Sequence, residues 1–240
     1  FFKKHYCPAN AVLVVAGPVK TEDVRMMAEK WFGEIPAGDK YDRRLPQEPA
    51  QTETRRLVVE ADVPLDALYM CWHMPARMEP GYQAVDMLTD ILGSGASSRL
   101  HQSLVKEQKL FSNVECYHFG STDRGLLTIE GKLVTGVTLE AAESAVQKEI
   151  DQLLTNGVTE DELQKAKNKT ESMIAFEDMS VMNRATSLAH YELLGDADMM
   201  NTEFARYAAV TIKDVLVQAE QIFRMENLNV MYYRSKPEAV

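Results

Sequence analysis

The spacing of apolar positions divides the chain into a strand and a helix, a polar interval, and a long alternating region. Asn10-Ala11-Val12-Leu13-Val14-Val15-Ala16 is a short, nearly all-apolar run closed by Gly17-Pro18, the pattern of a strand covered on both faces. Thr21 is placed to cap the helix that follows. There Val24, Met27, Ala28, Trp31 and Phe32 recur on one stripe, and Gly33 supplies a left-handed stop. From Pro36 to about Glu53 the chain turns to Pro, Gly, Gln and charges, with Pro36, Pro46 and Pro49 blocking regular ladders. Residues 37–53 therefore read as a linker. The strand-helix piece of residues 1–36 is too small to bury its own apolar face. It is expected to close a larger upstream domain and, without it, to pack abnormally or pair with another molecule.

Residues 54–240 read as a second, α+β domain. Arg55 to Glu60 and Leu68 to His73 are strand-like, the latter ended by Pro75 and followed by a Pro80-Gly81 turn. Ala84, Val85, Leu88, Ile91 and Leu92 form a helical stripe. It stops at Gly93-Ser94-Gly95-Ala96-Ser97-Ser98, a helix-helix turn with a Ser cap, before a short helix through Leu100 and Leu104. Ser112 to His118 and Leu126 to Leu133 are strands joined by a Gly- and Asp-rich hairpin loop. Helices follow through Ala142 to Leu154, from the Thr159/Glu162 capping box toward Phe176, through Ala185 to Leu193, and from the Thr211/Asp214 pair to Phe223. Leu228 to Tyr233 reads as a last strand. This order predicts a mixed sheet with helices packed on one face.

Composition narrows the function classes. With 45% hydrophobic and 26% charged residues, folding is driven by burial of a core. The formal net charge of -10 argues against a phosphate-binding role, so nucleic acid is not an expected partner. No run approaches the length of a membrane span, and the first residues lack the apolar core of a signal peptide. The chain reads as soluble. Its lack of an initiator Met marks it as a candidate fragment. The three cysteines, Cys7, Cys71 and Cys116, are too few for a disulfide framework and leave the compartment undecided.

The chemistry-bearing residues are dispersed. The sequence contains no H-E-x-x-H, H-x-x-E-H, G-x-S-x-G or Walker-type motif. Hydrolytic zinc needs histidines one helical turn apart with a carboxylate nearby, whereas His5, His73, His101, His118 and His190 are all separated in sequence. Cys71-x-His73 and Cys116-x-His118 each lie on a predicted strand, where i and i+2 share a face. Neighbouring strands would bring four zinc ligands together, but structural sites of this kind place cysteines on a turn and histidines on a helix. Half-buried strand residues are therefore the expectation. The Gly93–Ser98 loop lacks the lysine of a phosphate loop, and Glu160, Asp161 and Glu162 suit a helix dipole without any ligand. Lys106, Glu107 and Lys109 beside Ser103 or Ser112 have nothing to orient them as a Ser-Lys dyad. Met179-Ser180-Val181-Met182 reads as a core contact or helix junction.

Three passages resemble the insulinase/pitrilysin family of zinc metallopeptidases. Tyr6-Cys7-Pro8-Ala9-Asn10 with its following strand, together with Phe32-Gly33-Glu34-Ile35-Pro36, is similar to the family's Y-x-P-x-N and F-G-x-I-P. Ile91-Leu92-Gly93-Ser94-Gly95-Ala96-Ser97-Ser98-Arg99-Leu100 is similar to I-L-G-x-G-x-S-S-R-L. Gly157-Val158-Thr159-Glu160-Asp161-Glu162-Leu163 with Ala166-Lys167 is similar to G-V-T-x-x-E-L-x-x-A-K. Order and spacing agree over nearly the whole chain.

The resemblance implies the segment often called the inactive domain. It would carry no catalytic and no metal-binding residue of its own, and zinc and its ligands would sit upstream in the full-length parent. The expected partners are that upstream domain, a homologous second half or subunit, and an unfolded peptide held in the chamber between halves. Some halves of the family hold substrate with an Arg and a Tyr seven residues apart. The matching positions here are Val105 and Ser112, which lack both polar groups, so the pair would come from another half. A non-peptidase structural subunit, similar to the core proteins of the respiratory bc1 complex, is the other reading of the same likeness.

Overall fold

A computed structural model describes residues 1–46 and 48–236. The elements in chain order are α1 (Phe2–His5), α2 (Thr21–Phe32), β1 (Arg55–Ala61), β2 (Ala67–Met74), α3 (Tyr82–Gly93), a π-helical segment at His101–Glu107, β3 (Phe111–Phe119), β4 (Gly125–Leu133), α4 (Leu139–Asn156), α5 (Glu160–Glu177), α6 (Val181–Leu194), α7 (Met199–Ala208), α8 (Ile212–Ile222) and β5 (Leu228–Ser235). The described residues fall into two compact units. One holds Phe1–Pro49 and Thr170–Ala205; the other holds Ala50–Lys169 and the chain from Arg206 on.

The second unit is built on a five-stranded mixed sheet of order β1-β5-β2-β4-β3. β1 runs parallel to β5, and the other three pairings are antiparallel. Alternation along the strands sends Leu68, Met70, Trp72 and Met74 of β2, with Leu127 and Ile129 of β4 and Val230 of β5, to one face, where all are buried. Helices α3, α4 and α8 cover that face. α4 contributes Ala142, Val146, Ile150 and Leu153, a stripe at 3.6-residue spacing with no more than trace exposure. Trp72 meets Phe223 edge-on at 5.0 Å, closing the core at the end of α8. Edge strand β1 is held on this side by Arg56, which donates two hydrogen bonds to Glu143 of α4 at 2.7 and 2.8 Å. Tyr232 donates to the same carboxylate; burial first, and then this anionic partner, push its hydroxyl up to about 12.

The α+β expectation, a mixed sheet with helices on one face, describes this unit. The hairpin loop between β3 and β4 and the boxes at Thr159/Glu162 and Thr211/Asp214 are also present. Ser98 is different. Its hydroxyl donates to the Gly95 carbonyl at 2.8 Å and closes the loop on itself, so it does not cap the next helix.

In the first unit, residues 11–16 run without a ladder partner, in contrast to the strand that their composition suggests. Backbone donors and acceptors register as a strand only against another strand, and no strand lies in this unit among the described residues. Leu13 and Val15 are exposed accordingly. Thr21 is the first residue of α2 and makes no capping bond, and Gly33 stays right-handed at φ -60°, because the chain continues in a turn toward Pro36. Asn10 ties the start of the chain together. Its side chain accepts from Tyr41 N at 2.6 Å and donates to the His5 carbonyl and to the buried Cys7 sulfur, both at 3.3 Å. Met179–Met182 is the junction of α5 and α6, where Ser180 caps α6; Met179 and Met182 are largely exposed and form no core.

Candidate functional site

The face of the sheet opposite the helices is open. Pleating places Leu57 and Val59 of β1, Met231 and Tyr233 of β5, Tyr69, Cys71 and His73 of β2, Leu126, Thr128 and Glu130 of β4, and Glu115, Tyr117 and Phe119 of β3 on this side. Phe119 is 64% exposed and Leu57 57% exposed, while the tyrosines are half-buried. Tyr69 and Tyr233 meet edge-on at 6.5 Å, and Tyr117 and Phe119 do so at 5.2 Å. Tyr117 donates to Glu130 at 2.6 Å. Burial first, and then this anionic neighbour, push the Tyr117 hydroxyl well above its ordinary range; Tyr69 and Cys71 shift the same way.

The two C-x-H pairs end on different sides of this sheet. β4 lies between β2 and β3, with Cys71 level with Thr128 and Tyr117, whereas Cys116 is level with Ile129 and Met70. Cys71 and His73 thus lie on the open face, and Cys116 and His118 on the helix-covered one. His73 bonds Asn227 at 3.1 Å. His118 Nε2 bonds Asp86 Oδ1 at 3.0 Å, and Tyr207 donates to Asp86 Oδ2 at 2.7 Å. Burial opposes charge on Asp86, but these two hydrogen bonds outweigh it and hold the carboxyl below its usual range. His118 Nδ1 is buried with no hydrogen-bond partner among the described residues. The sequence offered no sign of this triad, because its members are separated by at least 32 positions.

The Gly93–Ser98 loop and the start of α5 come together as one packed unit. Arg99 donates to both oxygens of Glu162, at 2.6 and 2.7 Å, and to the Gly157 carbonyl at 2.8 Å. Glu162 also closes the Thr159 box. Arg99 above all, aided by Thr159 and opposed by burial, holds the Glu162 carboxyl at about 2. Lys169 bonds Asp90 and Ser94, each at 2.6 Å, and Lys165 reaches the Ser97 hydroxyl. The loop's polar groups are therefore engaged by α5. Gly93 lets α3 approach β3 closely, since a Cβ there would lie 2.1 Å from the backbone nitrogen of Cys116.

Residues 1–170 match the peptidase M16 inactive domain. The chain belongs to that family. Zinc protease PqqE of Helicobacter pylori is 24% identical over 227 residues, covering 93% of this chain and 51% of the relative. A protease of known structure from Helicobacter pylori superposes with a TM-score of 0.88 at 22% identity, covering 97% of this chain and 57% of that one. An M16 inactive domain from Pseudomonas fluorescens gives 0.75 at 20% identity, covering 93% and 52%. The chain thus spans about half the length of the curated relatives it matches.

Zinc, which the names of these relatives imply, does not fit the residues of this M16 domain. Among the described residues no three His, Cys, Asp or Glu side chains converge into a group able to hold a metal ion, and the two C-x-H pairs are divided by the sheet. Val105 lies half-buried in the π-helical segment. Ser112 occupies the bulge at the start of β3, exposed, with its hydroxyl donating to the Lys132 carbonyl at 3.1 Å. Ser103 donates to the buried Glu149 at 2.6 Å and accepts from Gln108, so it is held as part of the packing. No helix among the described residues is long and apolar enough to cross a membrane.

Proposed function

We propose that this M16 inactive domain is a non-catalytic, chamber-forming and peptide-binding part of a zinc-dependent endopeptidase. Proteolysis belongs to an upstream zinc domain, which residues 1–36, with helix α2, would help to close. The observation that carries this reading is the open sheet face, where aromatic, aliphatic and carboxylate side chains stand together without a covering layer. Such a surface suits an extended chain, whose alternate side chains point down onto it. The exposed stripe of α2, with Trp31 at 70%, supports a role in closing the upstream domain. With Val at 105 and Ser at 112, the Arg-Tyr pair that holds substrate is assigned to a homologous half or partner subunit.

Fluorescence anisotropy with an unfolded, labelled peptide tests the reading, alongside zinc analysis and a peptidase assay on the same chain. The expected result is saturable binding that Phe119→Ala and Leu57→Asp each weaken about tenfold, with neither stoichiometric zinc nor cleavage. One zinc per chain together with hydrolysis, or binding indifferent to both substitutions, would refute it.

A further inference from the structure

Asn156 is the only asparagine in the sequence that a glycine follows. In such a pair the backbone nitrogen of the glycine can attack the side-chain amide carbon, because no Cβ on the second residue stands in the way. The fold puts this pair at a joint. Asn156 is the last residue of α4, exposed, and its side chain makes no hydrogen bond among the described residues. Gly157 is engaged through both of its backbone polar groups. Its N–H donates to the Leu153 carbonyl at 2.9 Å, and its carbonyl accepts from Arg99 at 2.8 Å. Arg99 is in turn fixed by Glu162, which closes the box at the start of α5. The reactive side chain is thus loose, while the nitrogen it must meet is held.

We infer that Asn156-Gly157 is a site of spontaneous deamidation gated by Arg99, closed while the joint is assembled and opened when the guanidinium lets the Gly157 carbonyl go. A helical backbone at Asn156 keeps the Gly157 nitrogen away from the side-chain carbon, so cyclisation requires the peptide between the two residues to turn. Turning it breaks the bond to Leu153 and carries the Gly157 carbonyl off Arg99. In the reaction a bond forms between the Gly157 nitrogen and Asn156 Cγ, and the bond from Cγ to Nδ2 breaks. The displaced nitrogen takes up the Gly157 amide proton and leaves as ammonia. Water then opens the cyclic imide at either carbonyl, leaving aspartate or isoaspartate at this position. Neither product restores the joint. Aspartate sets a negative charge at the negative end of the α4 dipole, and isoaspartate adds a carbon to the backbone between α4 and the Gly157 carbonyl. The modification therefore loosens the contact whose loosening admits it, and neither the open sheet face nor any peptide takes part.

Ageing of the full chain in mildly alkaline buffer, followed by peptide mapping with mass spectrometry, reads the change as an amino group replaced by a hydroxyl at residue 156. Enzymatic methylation counts the isoaspartate share. Deamidation is expected to run about a hundredfold slower in the folded chain than in the chain unfolded by urea. Arg99→Lys keeps the charge but lacks the fork that holds both partners. It should raise the folded-state rate about tenfold while circular dichroism stays native. In urea, Arg99→Lys and the parent chain should react equally. Ile129→Val trims the buried core of the sheet away from the joint and should leave the folded-state rate where it is. A folded-state rate equal to that in urea, an unchanged rate in Arg99→Lys, or equal acceleration by Ile129→Val would overturn the gate. Absence of reaction even in urea would overturn the site itself.

Discussion

At the scale of single residues, the Arg99–Glu162 pair joins a loop and a helix 63 positions apart. Arg99→Ala leaves the Gly157 carbonyl without its Arg99 donor and the Glu162 carboxylate with only its bonds from Thr159. It should destabilise the domain by about 2 kcal/mol, measured as a shift in the urea midpoint with unchanged slope. The pH dependence has a defined sign. Glu162 is held at about 2, below its ordinary 4.5, so the pair's stabilisation is complete above that ordinary value and is lost as pH falls from it toward 2. In Glu162→Gln, acid unfolding monitored by circular dichroism should lose that component. Both halves of the pair were visible in the sequence as motif positions, but their meeting was not, since only the tertiary fold brings the loop beside the helix. Thr21, Gly33 and Ser98 teach the converse. Each is a residue type that favours a cap, yet Thr21 lies inside α2, Gly33 stays right-handed, and the Ser98 hydroxyl is turned to the Gly95 carbonyl.

At the scale of elements, periodicity made the five strands and most helices legible, because burial on one face imposes the pattern that the sequence carries. α7 escaped because its inward positions include Glu203 and Arg206 beside Tyr207, so no apolar stripe marks it. The reading of 10–16 as a strand failed for a different reason: composition reports a preference for extended backbone, whereas a ladder needs a second strand. The caps that do form are testable. Thr211→Ala removes the acceptor for the Asp214 amide and should cost about 1 kcal/mol in thermal or urea unfolding. Gly93→Ala should cost about 2–4 kcal/mol, since the methyl meets the β3 backbone, which cannot turn away as a side chain can. Ala at Gly157, where φ is 78° and ψ is -168°, should cost about 1–3 kcal/mol through backbone strain alone.

At the scale of the molecule, family membership and the α+β architecture were legible from three short passages, whereas the open face was not. No run of letters announces that Glu115 opposes Glu130; that follows from the register of β3 on β4. The isolated chain should contain no equimolar zinc after metal-free purification, as read by atomic absorption, and its melting temperature should not move when zinc is added. A rise of several degrees with zinc would mean that ligands assemble in a way the described residues do not show.

The joint between Arg99 and Glu162 also bears on how such chains are recognised. Two of the three passages that betray kinship here hold a loop to a helix, and assembly will punish their loss whether or not the molecule ever cuts a bond. A lineage can therefore shed its chemistry and keep its signature. Genomes searched for these letters yield a census of architecture, and turnover has to be counted at the bench.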